Sequence, residues 1–117
     1  MSQEVGHRWR DYRSESGRRP VREFLDALAR EDHAEIVGAM AEIREHGLVA
    51  ARHLRGEIYE VRADAAGGSY RVLFASEGTK GRILLALVAF AKTSRRTPPH
   101  SIDLALRRLR DWHARGG

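Results

Sequence analysis

Between residues 21 and 28 the apolar side chains Val21, Phe24, Leu25 and Leu28 recur at i, i+3, i+4 and i+7, the stripe of an amphipathic helix. Pro20 suits the first helical position. A second stripe, Ile36, Val37, Met40 and Ile43, predicts a helix that opens near Asp32 and closes at Gly47. Asp32 and Glu35 stand there at capping-box spacing, and Gly47 is a natural C-terminal cap. Two short helices with a tight link make a helical hairpin. The period then changes. Residues 58–63, 70–75 and 83–91 read as strands, with Gly67-Gly68 and the segment from Glu77 to Gly81 as hairpin connections. The last of the three is apolar on both faces, which predicts an interior strand. Residues 5–12 have the aromatic and β-branched content of a first strand, interleaved with arginines. After a basic linker, Thr97-Pro98-Pro99 supplies a helix cap and a first-turn proline. Ile102, Ala105, Leu106, Leu109 and Trp112 form a third stripe that Gly116-Gly117 ends. The expected order is β-α-α-β-β-β-α, an α+β class, in a single domain over residues 1–117.

Composition narrows the class. At 117 residues and 42% hydrophobic content the chain can bury one modest core. No apolar run approaches the roughly 18 residues of a membrane span, and the polar start "MSQEVGHRWRDYR" lacks a secretory signal. Without cysteine there are no disulfides and no thiolate metal sites. The expectation is a cytoplasmic protein that does not engage membranes. The charge is unevenly spread. Lys92, Arg95, Arg96, Arg107, Arg108, Arg110 and Arg115 are opposed after Ala91 only by Asp103 and Asp111, while acids and bases cancel before that point. The whole net charge of +5 thus falls in the last stretch, the footprint of a polyanion partner or of a solvated, arginine-rich helix face.

Strand alternation decides which side chains share a face. Tyr59 and Val61, with Tyr70, Val72 and Phe74, should pack on the hairpin. Arg62 and Arg71 then project together from the other, open face, and Lys92 at the end of the buried strand joins them. Three cations on a rigid sheet can hold a phosphodiester and stabilise the charge of a phosphorane. The plainer reading pairs Arg62 with Glu60 or Glu57 and Arg71 with a neighbouring carboxylate, and both stand. Arg95, Arg96, Arg107 and Arg108 are placed to grip the backbone of a polyanion. His100, beside the basic linker, could titrate as an acid or base near neutral pH. The six histidines show no metal spacing, and there is no P-loop, Rossmann fingerprint or GxSxG setting, so no metal or other cofactor is expected.

The run "WRDYRSESGRRPVREFLDAL" resembles the opening of phage-derived, HigB-like toxins of the RelE/ParE superfamily. The stretches "GEIYEVRA" and "YRVLFA" are similar to that family's "LyElR" and "yRvly" strands. "LLALVAFAKTSRRTPPHSIDLALRRL" is similar to its "hgFvKKtqktP" segment followed by an "A-x-x-R" helix. The match runs from about Trp9 to Trp112 in the same order. The resemblance implies a RelE-like fold, an antiparallel sheet backed by a helical hairpin with a mobile C-terminal helix. It also implies a toxin–antitoxin toxin that cleaves mRNA on the ribosome without a metal, restrained by a small helix-turn-helix antitoxin. The family's strand arginines carry over to Arg62 and Arg71, and the first lysine of its basic motif to Lys92. Its second lysine is Thr93 here, and its C-terminal Tyr or His has no match unless His100 or His113 substitutes. Two rival readings accompany this one: a non-enzymatic, ParE-like inhibitor of DNA gyrase, and a degenerate toxin that only binds nucleic acid.

Overall fold

The computed structural model describes residues 6–93 and 95–117. The chain runs β1 (Arg8–Asp11), α1 (Pro20–Asp26), α2 (Arg30–His46), β2 (Arg52–Arg55), β3 (Ile58–Ala65), β4 (Gly68–Glu77), β5 (Ile83–Ala91) and α3 (Pro99–Ala114). The class is α+β and the helical hairpin forms where the stripes place it. Two expectations about the sheet are corrected. The order contains an additional strand, β2, and the sheet is mixed, not antiparallel. Its strands lie β1-β5-β4-β3-β2, and β1 runs parallel to β5, with Arg8 opposite Ile83 and Asp11 opposite Ala86. As its all-apolar sequence predicts, β5 lies inside the sheet. The first strand is also shorter than expected, and residue 5 of that span lies outside the described residues.

Each face of the sheet buries its own core. On one, Val61, Tyr70, Val72, Phe74, Leu84 and Ala86 pack against Val21, Leu25, Ile36, Met40 and Ile43 of the hairpin. Val37, assigned to the same stripe, points outward instead. Trp9 seals this layer, its Nε1–H donating to the Met40 carbonyl at 2.7 Å and its ring meeting Phe74 edge-on. On the other face, Ile58, Leu73, Ala75, Leu85 and Leu87 lie beneath Ala105 and Leu109 of α3. α2 begins at Arg30 with Ala29 as its N-cap, so Asp32 does not cap the helix as its spacing predicts. Asp32 is buried within the first turn, where its carboxylate accepts from the Tyr70 hydroxyl and the Gly67 amide. Gly47, at φ 79°, ends α2 in the left-handed conformation that a glycine adopts without steric cost.

The far end of α3 is clamped to β1. The Tyr12 hydroxyl donates to Asp111 Oδ2 at 2.6 Å, and Arg115 bonds both Asp111 and the Arg13 carbonyl. Burial, and then the Asp111 hydrogen bond, raises the Tyr12 hydroxyl above its usual range. Arg115, and then Tyr12, holds the Asp111 carboxyl below its own.

Candidate nucleic-acid site

β3 and β4 place Arg62 directly opposite Arg71. Both point to the face away from the hairpin, as alternation requires. That face is not open. Arg71 is 1% exposed, covered by the chain that leads into α3, whereas the Arg62 side chain remains 41% exposed. Between them stands Glu60, fully buried, a carboxylate shared by two guanidiniums. Its Oε1 accepts from Arg62 Nε at 2.7 Å and its Oε2 from Arg71 Nη1 at 3.2 Å. The paired-carboxylate reading of both arginines therefore describes the structure. Glu60 is also the residue that sequence reasoning undervalued; its position two before Arg62 on one strand face was the available signal.

A strap from the basic linker closes over this pair. Arg71 Nη1 donates to Thr97 Oγ1 at 2.7 Å and Nη2 to the Arg95 carbonyl at 2.9 Å, while the Thr97 hydroxyl donates to Glu60. Thr97 consequently does not cap α3 as predicted; Pro98 is the N-cap, with no side-chain hydrogen bond. Arg71 Nε has no partner and is the buried side-chain polar atom left unsatisfied among the described residues. Nε and Nη2 lie on the same edge of the guanidinium, the edge that grips a phosphate side-on. One of those two donors is empty and the other is held by a backbone oxygen of the strap.

Further cations surround the strap. Lys92 follows β5, half-buried, with its amide donating to the Ser69 carbonyl at 2.7 Å. It continues the alternation of Phe90, which lies opposite Arg71. Arg95 and Arg96 are exposed and, with Arg52 and His53, line a groove of about 210 Å³. Arg52 was missed because four residues, "RHLR", carry no strand pattern; its pairing with Glu60 puts it beside the site. His100 is exposed in the first turn of α3, and Arg107 is exposed on its outer side.

Arg108 is a correction. It faces the sheet, with its guanidinium over the Tyr12 ring and Nη1 donating to the Leu87 carbonyl at 2.7 Å. The register explains why. Leu73 pairs with Val88 and Phe74 with Ala86, so Leu87 is the extra residue of a β-bulge, and its carbonyl needs a donor from outside the ladder. Burial lowers the pKa of Arg108 from its usual value. Arg108→Met should lower stability by about 1–3 kcal/mol through the buried carbonyl it strands, while the salt dependence of RNA binding stays unchanged. A denaturant melt and a salt titration check the two halves. Of the remaining histidines, His33 bonds the Leu25 carbonyl, His53 the Gly56 carbonyl and His113 the Glu77 carboxylate. Among the described residues no group of His, Asp or Glu is arranged to hold a metal ion, and no helix is long and apolar enough to cross a membrane.

Residues 23–110 match the family described as "Phage derived protein Gp49-like". The chain is also similar to the "Probable endoribonuclease HigB1" of Mycobacterium tuberculosis, in strains CDC 1551 / Oshkosh and ATCC 25618 / H37Rv. In each case identity is 33% over 107 residues, covering 89% of this chain and 83% of the relative.

Proposed function

The chain belongs to the phage-derived Gp49-like family of HigB-like toxins, and on that premise we propose that it is the toxin of a type II toxin–antitoxin pair, an endoribonuclease that cleaves mRNA on the ribosome without a metal. The observation that carries this reading is the side-on edge of Arg71, with Nε unpartnered and Nη2 bonded to the Arg95 carbonyl. An RNA phosphate entering there would satisfy the empty donor and displace the strap oxygen. In the reaction the 2′-oxygen bonds to the adjacent phosphorus and the bond to the 5′-oxygen breaks. The 2′-hydroxyl proton is lost to a base, the leaving oxygen gains one, and a 2′,3′-cyclic end remains. Arg71 and Arg62 stabilise the charge that gathers on the nonbridging oxygens, Lys92 neutralises a nonbridging or leaving oxygen, and Glu60 is a positioning residue that sets the two guanidiniums. Arg95, Arg96, His100 and Arg107 contact flanking backbone, with ribosomal RNA aligning the substrate. The restraining partner is a cognate helix-turn-helix antitoxin, and the setting is cytoplasmic.

The non-enzymatic gyrase inhibitor is the second reading, favoured by the complete burial of Arg71. Mapping mRNA ends after a brief pulse of expression separates them. New ends within translated codons are expected. DNA-damage signalling without such ends would indicate gyrase, and neither outcome would leave a nucleic-acid-binding module. Neutralising Arg95 and Arg96 together should flatten the slope of log affinity against log salt for single-stranded RNA by about 1.4, two phosphate contacts at roughly 0.7 each.

A further inference from the structure

The outer edge of β1 separates two unlike surfaces. Among the described residues no strand pairs with its far side. The Arg8 and Tyr12 amides donate inward, to the carbonyls of Arg82 and Ala86, so alternation turns the peptide groups of Trp9 and Asp11 outward. On the hairpin side of this edge lies a cleft of about 180 Å³ in which Trp9, Val21, Leu25 and Met40 lie beside the Asp11–Arg19 ion pair. On the α3 side lies a groove of about 380 Å³ bounded by Arg10, Arg13, Trp112 and Arg115. Among the described residues Arg8, Arg10 and Arg13 have no carboxylate partner, and Arg10 rests over the Trp112 ring at 5.3 Å. The nearby acids are engaged, Asp11 by Arg19 and Asp111 by Arg115 and Tyr12.

We propose that this edge docks an extended segment of a partner protein in which acidic and apolar side chains alternate. A strand added to a sheet sends successive side chains to opposite faces. Those opposite Trp9 and Asp11 would enter the apolar cleft, and those opposite Arg8 and Arg10 would meet guanidiniums. A second copy of this chain is disfavoured as the occupant, because pairing β1 with itself sets arginines against arginines. RNA would satisfy the arginines and the Trp112 ring but neither the cleft nor the outward amides. The opposite edge offers no equivalent, since the register of β2 breaks between His53 and Arg55 and the His53 ring bonds back to the Gly56 carbonyl. β5 separates this edge from Arg71 on β4 and Arg62 on β3, and Lys92 lies past the end of β5 that β1 does not reach, so the proposal does not depend on the nuclease reading.

A blocked hexapeptide of alternating Glu and Leu, titrated into the full chain, tests it. The expected result is saturable binding that slows hydrogen exchange at the Trp9 and Asp11 amides. Affinity should fall at least tenfold for a peptide of the same composition arranged as three Glu followed by three Leu. A similar loss is expected for a copy N-methylated at the edge-facing amides, and for the protein variant Arg8→Glu/Arg10→Glu. The N-methylated peptide decides the matter should that variant fail to fold. Equal binding of the alternating and block peptides would overturn the proposal, as would absence of binding or unprotected Trp9 and Asp11 amides. A uridine oligonucleotide that protects those amides where the peptide does not would assign the edge to RNA instead.

Discussion

Arg71→Ala is expected to abolish growth arrest and, separately, to lower folding stability by about 1.5–3 kcal/mol, because the buried Glu60 carboxylate keeps Arg62 and Thr97 but loses one of its two guanidiniums. The activity loss follows from the proposed phosphate contact, which typically contributes on the order of 3 kcal/mol, or a hundredfold or more in rate. The stability loss follows from burial: at 1% exposure Arg71 is part of the interior and not of an open face. A double variant separates the two effects. Glu60→Met/Arg71→Met removes both buried charges in side chains of comparable volume and should recover most of the lost stability. It should remain unable to generate new mRNA ends. Urea melts and end mapping on the same three proteins provide the readout, and toxicity in the double variant would refute the role given to Arg71.

Thr97→Val should act in the opposite direction and raise the apparent affinity for a short single-stranded RNA. The Thr97 hydroxyl accepts from Arg71 and donates to Glu60, and valine keeps the branched shape while losing both bonds. A hydrogen bond to a charged group contributes about 1.5–3 kcal/mol. If the strap must lift before RNA enters, affinity scales with the fraction of molecules already open, and each 1.4 kcal/mol removed from the closed form yields on the order of a tenfold gain. Fluorescence titration measures it. Equal affinities for the two proteins would mean that the strap does not compete with RNA.

Much of this architecture was legible in the pattern of residues, and the exceptions have physical causes. Val21, Leu25, Ile36, Met40 and Ile43 reveal the hairpin because a helix repeats its buried face locally. Ile83–Ala91 reveals a central strand because both its faces are covered. β2 was invisible since a short edge strand is mostly solvated and needs no apolar alternation. The parallel partner of β1 was also invisible, because pairing between distant segments leaves no local trace. Alternation assigned Arg62 and Arg71 to a face correctly but carries no information about what lies over that face. The strap, the bulge at Leu87 and the inward turn of Arg108 depend on how α3 settles across the sheet, which no window of the chain encodes.

The parallel pairing of β1 with β5 also bears on how the chain is made. β3, β4 and β5 form an antiparallel meander of neighbours and can assemble from local contacts, whereas Arg8 must find Ile83. Ladders between remote segments close late, since the entropy of joining their ends is spent before any contact repays it. β1, which emerges before the other strands of the described residues, is thus the last that can be seated. A nascent chain that has not yet released β5 holds an unpaired β1, and neither the Trp9 seal over the hairpin nor the Tyr12 clamp on α3 can form until β5 and α3 have emerged.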